Sequence, residues 1–234
     1  MLPAGAPLEL HSRLPAFVSR GGEKLSGTIE QLGLELGGTR VLDVGASTGG
    51  FTDCLLQRGA SRVVALDVGR GQLDARLRSD PRVELREGVN ARYLRPEHFS
   101  ERFDLITVDV SFISLAKVLP ALSTLLVPAG RLLVLVKPQF ELGRGQVGRG
   151  GVVERPERRL QALRSVVAAA QGLGLHVQAA AASPLPGRDG NREVFLLLAQ
   201  RPGLSSPELE QVLGRAAAFP QALDQPQEPH LAAQ

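Results

Sequence analysis

Val41-Leu-Asp-Val-Gly-Ala-Ser-Thr-Gly-Gly-Phe51 reads as an apolar strand that breaks into a glycine turn and then opens a helix. Gly45, Gly49 and Gly50 let the backbone turn sharply and approach a ligand closely, at the carboxyl end of that strand, where doubly wound sheets bind. The spacing is G-x-x-x-G-G and differs from the G-x-G-x-x-G of a pyrophosphate-binding turn, which disfavours NAD. Asp67 ends the next apolar run, 22 residues after Gly45, where a carboxylate can accept both hydroxyls of a ribose. Together they indicate a nucleoside cofactor. The plain alternative is a structural βα turn and a helix-capping aspartate.

Outward from this stretch, apolar runs of strand length alternate with helical stretches. Residues 41–44, 63–68, 83–85, 105–108, 132–136, 175–181 and 194–199 are rich in small and branched apolar residues, as strands covered on both faces should be. Helices are expected over 50–58, 71–79, 115–126 and 156–171. Such alternation implies right-handed crossovers and an α/β, doubly wound, mainly parallel seven-stranded sheet whose last strand is antiparallel. Residues 1–20 read as a linker, 21–200 as the domain, and 201–234 as a loosely held tail. That tail carries prolines at 202, 207, 220, 226 and 229 around one helix signal, Ser205 three residues before Glu208.

Composition narrows the class. A chain of 234 residues with 43% hydrophobic content can bury a core, so disorder is not its main state. One cysteine, Cys54, allows no internal disulfide and no Cys-rich zinc site, and a reducing cytoplasm fits best. No metal site is expected. Met1 to Ala16 lacks the basic and apolar regions of a signal peptide. The longest uncharged run, 165–187, is broken by Gln171, Gly172, Gly174, His176, Gln178 and Pro184, so no membrane span is expected. Charge nearly balances at +3, yet only three of the 27 basic residues are lysines, at 24, 117 and 137. Arginine cannot give up its proton and lysine can, so a retained lysine points to a position that needs a titratable amine.

Two further polar residues end apolar strands. Asp109 follows Leu-Ile-Thr-Val, and Lys137 follows Leu-Leu-Val-Leu-Val, so both should converge on the face of the glycine turn. Alternatively Asp109 caps a helix near Ser114 and Lys137 snorkels at a strand end. Between 138 and 159 lie Gly143, Gly145, Gly148, Gly150 and Gly151 with Arg144, Arg149, Arg155, Arg158 and Arg159. A glycine- and arginine-rich loop beside the site suits a phosphate backbone; a solvated surface loop is the alternative.

These stretches together resemble the FtsJ-like RNA ribose 2′-O-methyltransferases, most closely the TlyA type, also called the hemolysin A family. The resemblance runs from about Phe17 to Ala199 and rests on Phe-Val-Ser-Arg-Gly-Gly-Glu-Lys24-Leu, the 42–59 stretch, Asp109-Val-Ser-Phe-Ile-Ser-Leu, Val-Lys137-Pro-Gln-Phe-Glu and Gly190-Asn-Arg-Glu193. It implies a Rossmann-like class I methyltransferase fold and a catalytic tetrad of Lys24, Asp109, Lys137 and Glu193. It implies S-adenosyl-L-methionine held by Asp43, by Gly45, Ala46, Ser47, Thr48, Gly49, Gly50, Phe51 and Thr52, and by Asp67 and Val68, with Asp109 at its edge. The turn Gly88-Val-Asn-Ala-Arg92 would face the adenine through Asn90. The implied partners are ribosomal RNA or ribosomal subunits, and the implied target is cytidine. TlyA-type proteins usually begin with a small RNA-binding domain, and here fewer than twenty residues precede the first motif.

In the chemistry this implies, Lys137 takes the ribose hydroxyl proton, Asp109 and Glu193 orient the amine, and Lys24 positions the ribose or its phosphate. Neighbouring carboxylates oppose proton release from a lysine, while burial and a nearby positive sulfur favour it. The competing readings are a methyltransferase for another RNA or a small molecule, a non-catalytic RNA-binding module, and a membrane-active haemolysin.

Overall fold

The computed structural model describes residues 15–143 and 145–218. The chain runs α1 (Arg20–Leu32), β1 (Arg40–Val44), α2 (Gly50–Gln57), β2 (Arg62–Asp67), α3 (Ala75–Arg78), β3 (Val83–Glu87), β4 (Phe103–Val108), α4 (Leu119–Ser123), β5 (Leu126–Val136), α5 (Pro138–Glu141), α6 (Pro156–Gln171), β6 (His176–Ala182), β7 (Val194–Ala199) and α7 (Ser206–Ala218). The seven strands lie in the order β3-β2-β1-β4-β5-β7-β6. β1 to β5 pair in parallel, and β7 runs antiparallel to both of its neighbours.

β7 is the last strand in the chain but not the edge of the sheet. It enters between β5 and β6, and all six of its residues are buried. Alternate strand residues feed two separate apolar layers. Leu42, Ile106, Val134 and Leu196 pack with α4, α6 and α7 on one face, and Val41, Leu105, Leu133 and Phe195 with α1 and α2 on the other. Covering both faces forces the unbroken apolar runs seen in the sequence.

Several elements differ from the sequence reading. The helix expected at 71–79 shrinks to 75–78, where Asp74 caps by accepting from the Arg76 backbone N–H. The one expected at 115–126 is a 3-10 turn at Leu115–Lys117 followed by the short α4, and β5 begins at Leu126 instead of 132. α1 was not expected at all, because Gly21, Gly22, Gly27 and β-branched residues weaken the helical signal. Tertiary contact supplies what propensity lacks. A Cβ on Gly22 would stand 2.3 Å from the Phe17 ring atoms, so glycine is what lets that ring cover the helix.

The tail is also better held than expected as far as residue 218. Leu213, Ala216 and Ala217 of α7 are buried, and the Arg159 guanidinium donates to the carbonyl oxygens of Ala217 (2.8 Å), Glu154 (2.7 Å) and Val153 (3.3 Å). Arg159 is therefore a buried clamp, unlike the arginine expected to face a phosphate backbone. Glu208 does return to Ser205, accepting from its backbone N–H at 2.9 Å and its hydroxyl at 2.6 Å. Arg144 and residues 1–14 and 219–234 lie outside the described residues.

Candidate active site

The carboxyl ends of β1, β2, β4 and β5 carry the polar groups. The turn after β1 is sharp, with φ of 86° at Gly45 and 98° at Gly49. Its glycines let the chain pack on itself, and Gly45 and Gly50 also border open cleft. A Cβ on Gly45 would lie 2.3 Å from the Asp109 carbonyl oxygen, one on Gly49 2.3 Å from a Leu77 methyl, and one on Gly50 2.2 Å from the Ser19 hydroxyl. Absence of Cβ thus draws the β4 exit, α3 and α1 onto the turn.

Two clefts flank this turn. One, of about 480 Å³, is walled by apolar groups including Val68, Val89, Val110, Ile113 and Val118, with Asp67 and Asn90 among its polar lining. The other, of about 410 Å³, is lined by Ser19, Arg20, Lys24, Ala46, Thr48, Gly50, Phe51 and Arg188 among others. Gly45, Ser47 and Asp109 border both. In the first cleft each Asp67 oxygen accepts one backbone N–H, from Ser47 at 2.8 Å and Gly69 at 2.7 Å. An ionised carboxylate has about four acceptor positions, so both oxygens keep capacity for ribose hydroxyls. The Asn90 side chain accepts from Arg92 N at 3.0 Å, which fixes it at the rim. An apolar slot with a carboxylate at its end fits the nucleoside of S-adenosyl-L-methionine, and acidic Asp109 between the clefts fits a cationic sulfur.

Lys24, Asp109, Lys137 and Glu193 form two ion pairs side by side. Lys24 Nζ stands 2.6 Å from Glu193 Oε2, and Lys137 Nζ stands 2.6 Å from Asp109 Oδ1. Lys137 also donates to Ser111 Oγ at 2.8 Å. Lys24 and Asp109 face the second cleft, and Glu193 and Lys137 are not among its lining residues. The pairs are in electrostatic reach of each other, because Lys137 and Asp109 both act on Glu193. Burial pushes Glu193 above the usual carboxylate range, and the Lys24 ammonium opposes that rise.

Asp43 and Thr52 are brought together but away from either cleft. Asp43 is fully buried and accepts the hydroxyls of Thr52 at 2.7 Å and Thr107 at 2.9 Å, so it braces the underside of the turn and is not placed to touch a cofactor. Burial pushes its carboxyl up to about 6, from an ordinary value of 3.8, against the two hydroxyls. A raised folded-state value means this group's stabilisation is complete below the unfolded value and lost as pH rises through the folded one. Asp43→Asn, which carries no charge, is expected to remove about 3 kcal/mol of stability change between about pH 4 and 7. Thermal melts across that range would show a flatter Tm profile than wild type; an unchanged profile contradicts it.

Two groups escaped the sequence reading. Ser111 accepts from Lys137, and Glu141, also within one of the quoted motifs, accepts Ser114 Oγ at 2.6 Å and Leu115 N at 2.8 Å. Neither residue type carries a signal by itself; only the fold brings 141 next to 114. Among the described residues no cluster of histidine, cysteine or acids could hold a metal, and no helix is long and apolar enough to cross a membrane.

The reversed β7 lodged between β5 and β6 separates this sheet from all-parallel dinucleotide-binding folds and makes it that of a Rossmann-like methyltransferase. The profile of the FtsJ-like methyltransferases matches residues 17–201, and the chain belongs to that family. It is 52% identical over 203 residues to the 16S/23S rRNA (cytidine-2′-O)-methyltransferase TlyA of Mycobacterium tuberculosis, covering 86% of this chain and 76% of that protein. It is 40% identical over 178 residues to Hemolysin A of Brachyspira hyodysenteriae, covering 76% of this chain and 74% of the other. A solved Streptococcus thermophilus structure, described as a hemolysin, superposes with a TM-score of 0.81 at 40% identity, over 88% of this chain and 76% of that one.

Proposed function

We propose that this chain transfers a methyl group from S-adenosyl-L-methionine to the ribose 2′ oxygen of a cytidine in ribosomal RNA, in the cytoplasm. The observation that carries the reading is the convergence of two lysine–carboxylate pairs beside a nucleoside-shaped cleft, with Asp109 of one pair bordering both clefts. The names of the relatives support the RNA acceptor and the cytidine.

Asp67 would hold the cofactor's ribose hydroxyls, and Asn90, Val68 and Val110, which line the same cleft, would hold its base. When bound, S-adenosyl-L-methionine supplies a methyl group on a positively charged sulfur, which needs only an oxygen in line with it. Lys24, held by Glu193, draws the acceptor ribose or its phosphate into the second cleft, with Arg20 and Arg188 at its wall. Lys137, oriented by Asp109 and Ser111, first passes a proton to the Asp109 carboxylate at 2.6 Å and, then uncharged, takes the proton that the 2′ hydroxyl sheds as the O–CH3 bond forms and the S–CH3 bond breaks. Proton removal falls late in the step, once the growing bond has made the hydroxyl acidic. Phe112, 91% exposed and tilted against Phe140 at 5.0 Å, offers a ring face at the cleft mouth for a nucleobase.

The direct test is transfer of labelled methyl to 30S and 50S subunits and to naked ribosomal RNA, followed by alkaline hydrolysis. Label in alkali-resistant dinucleotides is expected, because a methylated 2′ oxygen cannot attack the phosphate. Label on a metabolite with none on RNA overturns the reading in favour of a small-molecule acceptor.

A further inference from the structure

The two segments that meet around Lys137 leave neighbouring strands. β4 ends at Val108, in register with Val134 of β5, and beyond that point the ladder no longer fixes how far apart the chains stand. One segment carries Asp109 and Ser111, the other Lys137 and the single-turn α5. Something besides the sheet must set their separation.

Glu141 closes that gap. Its Oε2 accepts the Ser114 hydroxyl at 2.6 Å, and its Oε1 accepts the Leu115 backbone N–H at 2.8 Å. Leu115 opens a 3-10 turn, so its N–H has no partner within that turn, and a side chain from another element supplies it. Burial pushes the Glu141 carboxyl up, while the two hydrogen bonds hold it down. Keeping a carboxylate there is costly, and two donors facing one side chain give the reason, because glutamine would offer them one acceptor and one donor.

A second observation points the same way. Phe112, between Ser111 and Ser114, holds φ at +64°, a conformation bulky residues rarely adopt. Strain of this kind persists only where surroundings over-determine it, and the ring of Phe140, next to Glu141, stands 5.0 Å from that of Phe112. The loop is stapled to α5 at both of its ends, by Lys137 on Asp109 and Ser111 and by Glu141 on Ser114 and Leu115.

We infer that Glu141 is a positioning residue, whose bonds to Ser114 and Leu115 hold the Lys137 turn against the Asp109 loop and so set where the Lys137 amine stands. This rests on the reading of Lys137 as the group that meets the ribose hydroxyl. Glu141 itself touches no reacting atom.

Because the chain has three lysines, each can be followed by itself. The full chain, its lysines dimethylated with ¹³C-formaldehyde, would be compared as wild type, Glu141→Gln and Ser114→Ala by ¹H–¹³C NMR without RNA or cofactor. Lys137→Arg and Lys24→Arg assign the signals. The expected result is a moved Lys137 resonance with Lys24 unchanged in both variants. In parallel, unlabelled Glu141→Gln should lose about 10- to 100-fold in kcat at unchanged KM for S-adenosyl-L-methionine, the size of effect that displacement of a reacting group by about 1 Å produces. Ser114→Ala removes one bond only and serves if Glu141→Gln does not fold. A Lys137 signal that stays in place, or wild-type kcat in Glu141→Gln, overturns the inference. A moved Lys137 signal in a protein whose wild type methylates no RNA would leave the strut standing and remove the function.

Discussion

Lys137→Ala is expected to lower kcat for RNA methylation roughly 1,000-fold while leaving affinity for S-adenosyl-L-methionine unchanged, the former within the range a positioned proton acceptor contributes. The split follows from placement. Lys137 is not among the residues lining the nucleoside cleft and holds two that are, Asp109 and Ser111, so removing its amine takes away no direct cofactor contact. Fold stability should fall less than on breaking a fully buried pair, because the Asp109 side chain left behind is 23% exposed, although its Oδ1 is buried. Lys137→Arg sharpens the test. It restores a cation beside Asp109 but not a group that can accept a proton, so it should remain nearly as slow as alanine. Single-turnover methyl transfer with calorimetry for cofactor binding separates the two quantities. Full turnover by the arginine variant removes Lys137 as proton acceptor and leaves it an electrostatic role.

The parts of this site visible in the sequence are those that end strands. In a doubly wound sheet every parallel strand delivers its last residue to one edge, so a glycine turn at 45–50, Asp67, Asp109 and Lys137 can be placed together from apolar runs alone. Lys24 and Glu193 could not be found that way. Lys24 sits on a helix weakened by glycine, Glu193 just before β7, and 169 residues separate the two partners of the bond. The scarcity of lysine drew notice to Lys24, and only resemblance to a family pointed to Glu193. Asp43 was misread for a related reason. Its place in the glycine motif marks it as acidic and close to the turn, but whether a strand residue faces a cleft or a threonine pair depends on which face of the pleat it occupies.

Glycine shows how one motif can carry more than one cause. The turn geometry was legible because positive φ demands glycine, whereas the neighbours that exclude a Cβ at 45, 49 and 50 come from β4, α3 and α1. Those contacts are long-range and leave no local signature. α7 is a similar case. Prolines announce a loose tail, while three small or apolar residues and one buried arginine fasten it.

Lys24→Ala should be the more damaging single change to the fold. The Glu193 side chain is 3% exposed, and loss of its ammonium partner strands a charge in the interior, at roughly 3–5 kcal/mol. Burial already lifts Glu193 above its ordinary 4.5, and without Lys24 nothing of comparable strength opposes the rise. The sign follows. A folded-state value above the unfolded one gives stability that is present at low pH and lost as pH increases, so the gap between Lys24→Ala and wild type should narrow on acidification toward about pH 4.5 and widen above it. Replacing both partners with methionine removes the stranded charge as well as the pair, and two flexible apolar side chains of similar volume can refill the space. Lys24→Met/Glu193→Met should therefore recover most of the lost stability in denaturant melts while transferring no methyl to RNA. If the double variant were both stable and active, the pair would be an ordinary structural salt bridge. Recovery of stability alone marks it as the part of the site that receives the ribose, because binding an acceptor phosphate needs the amine and folding does not.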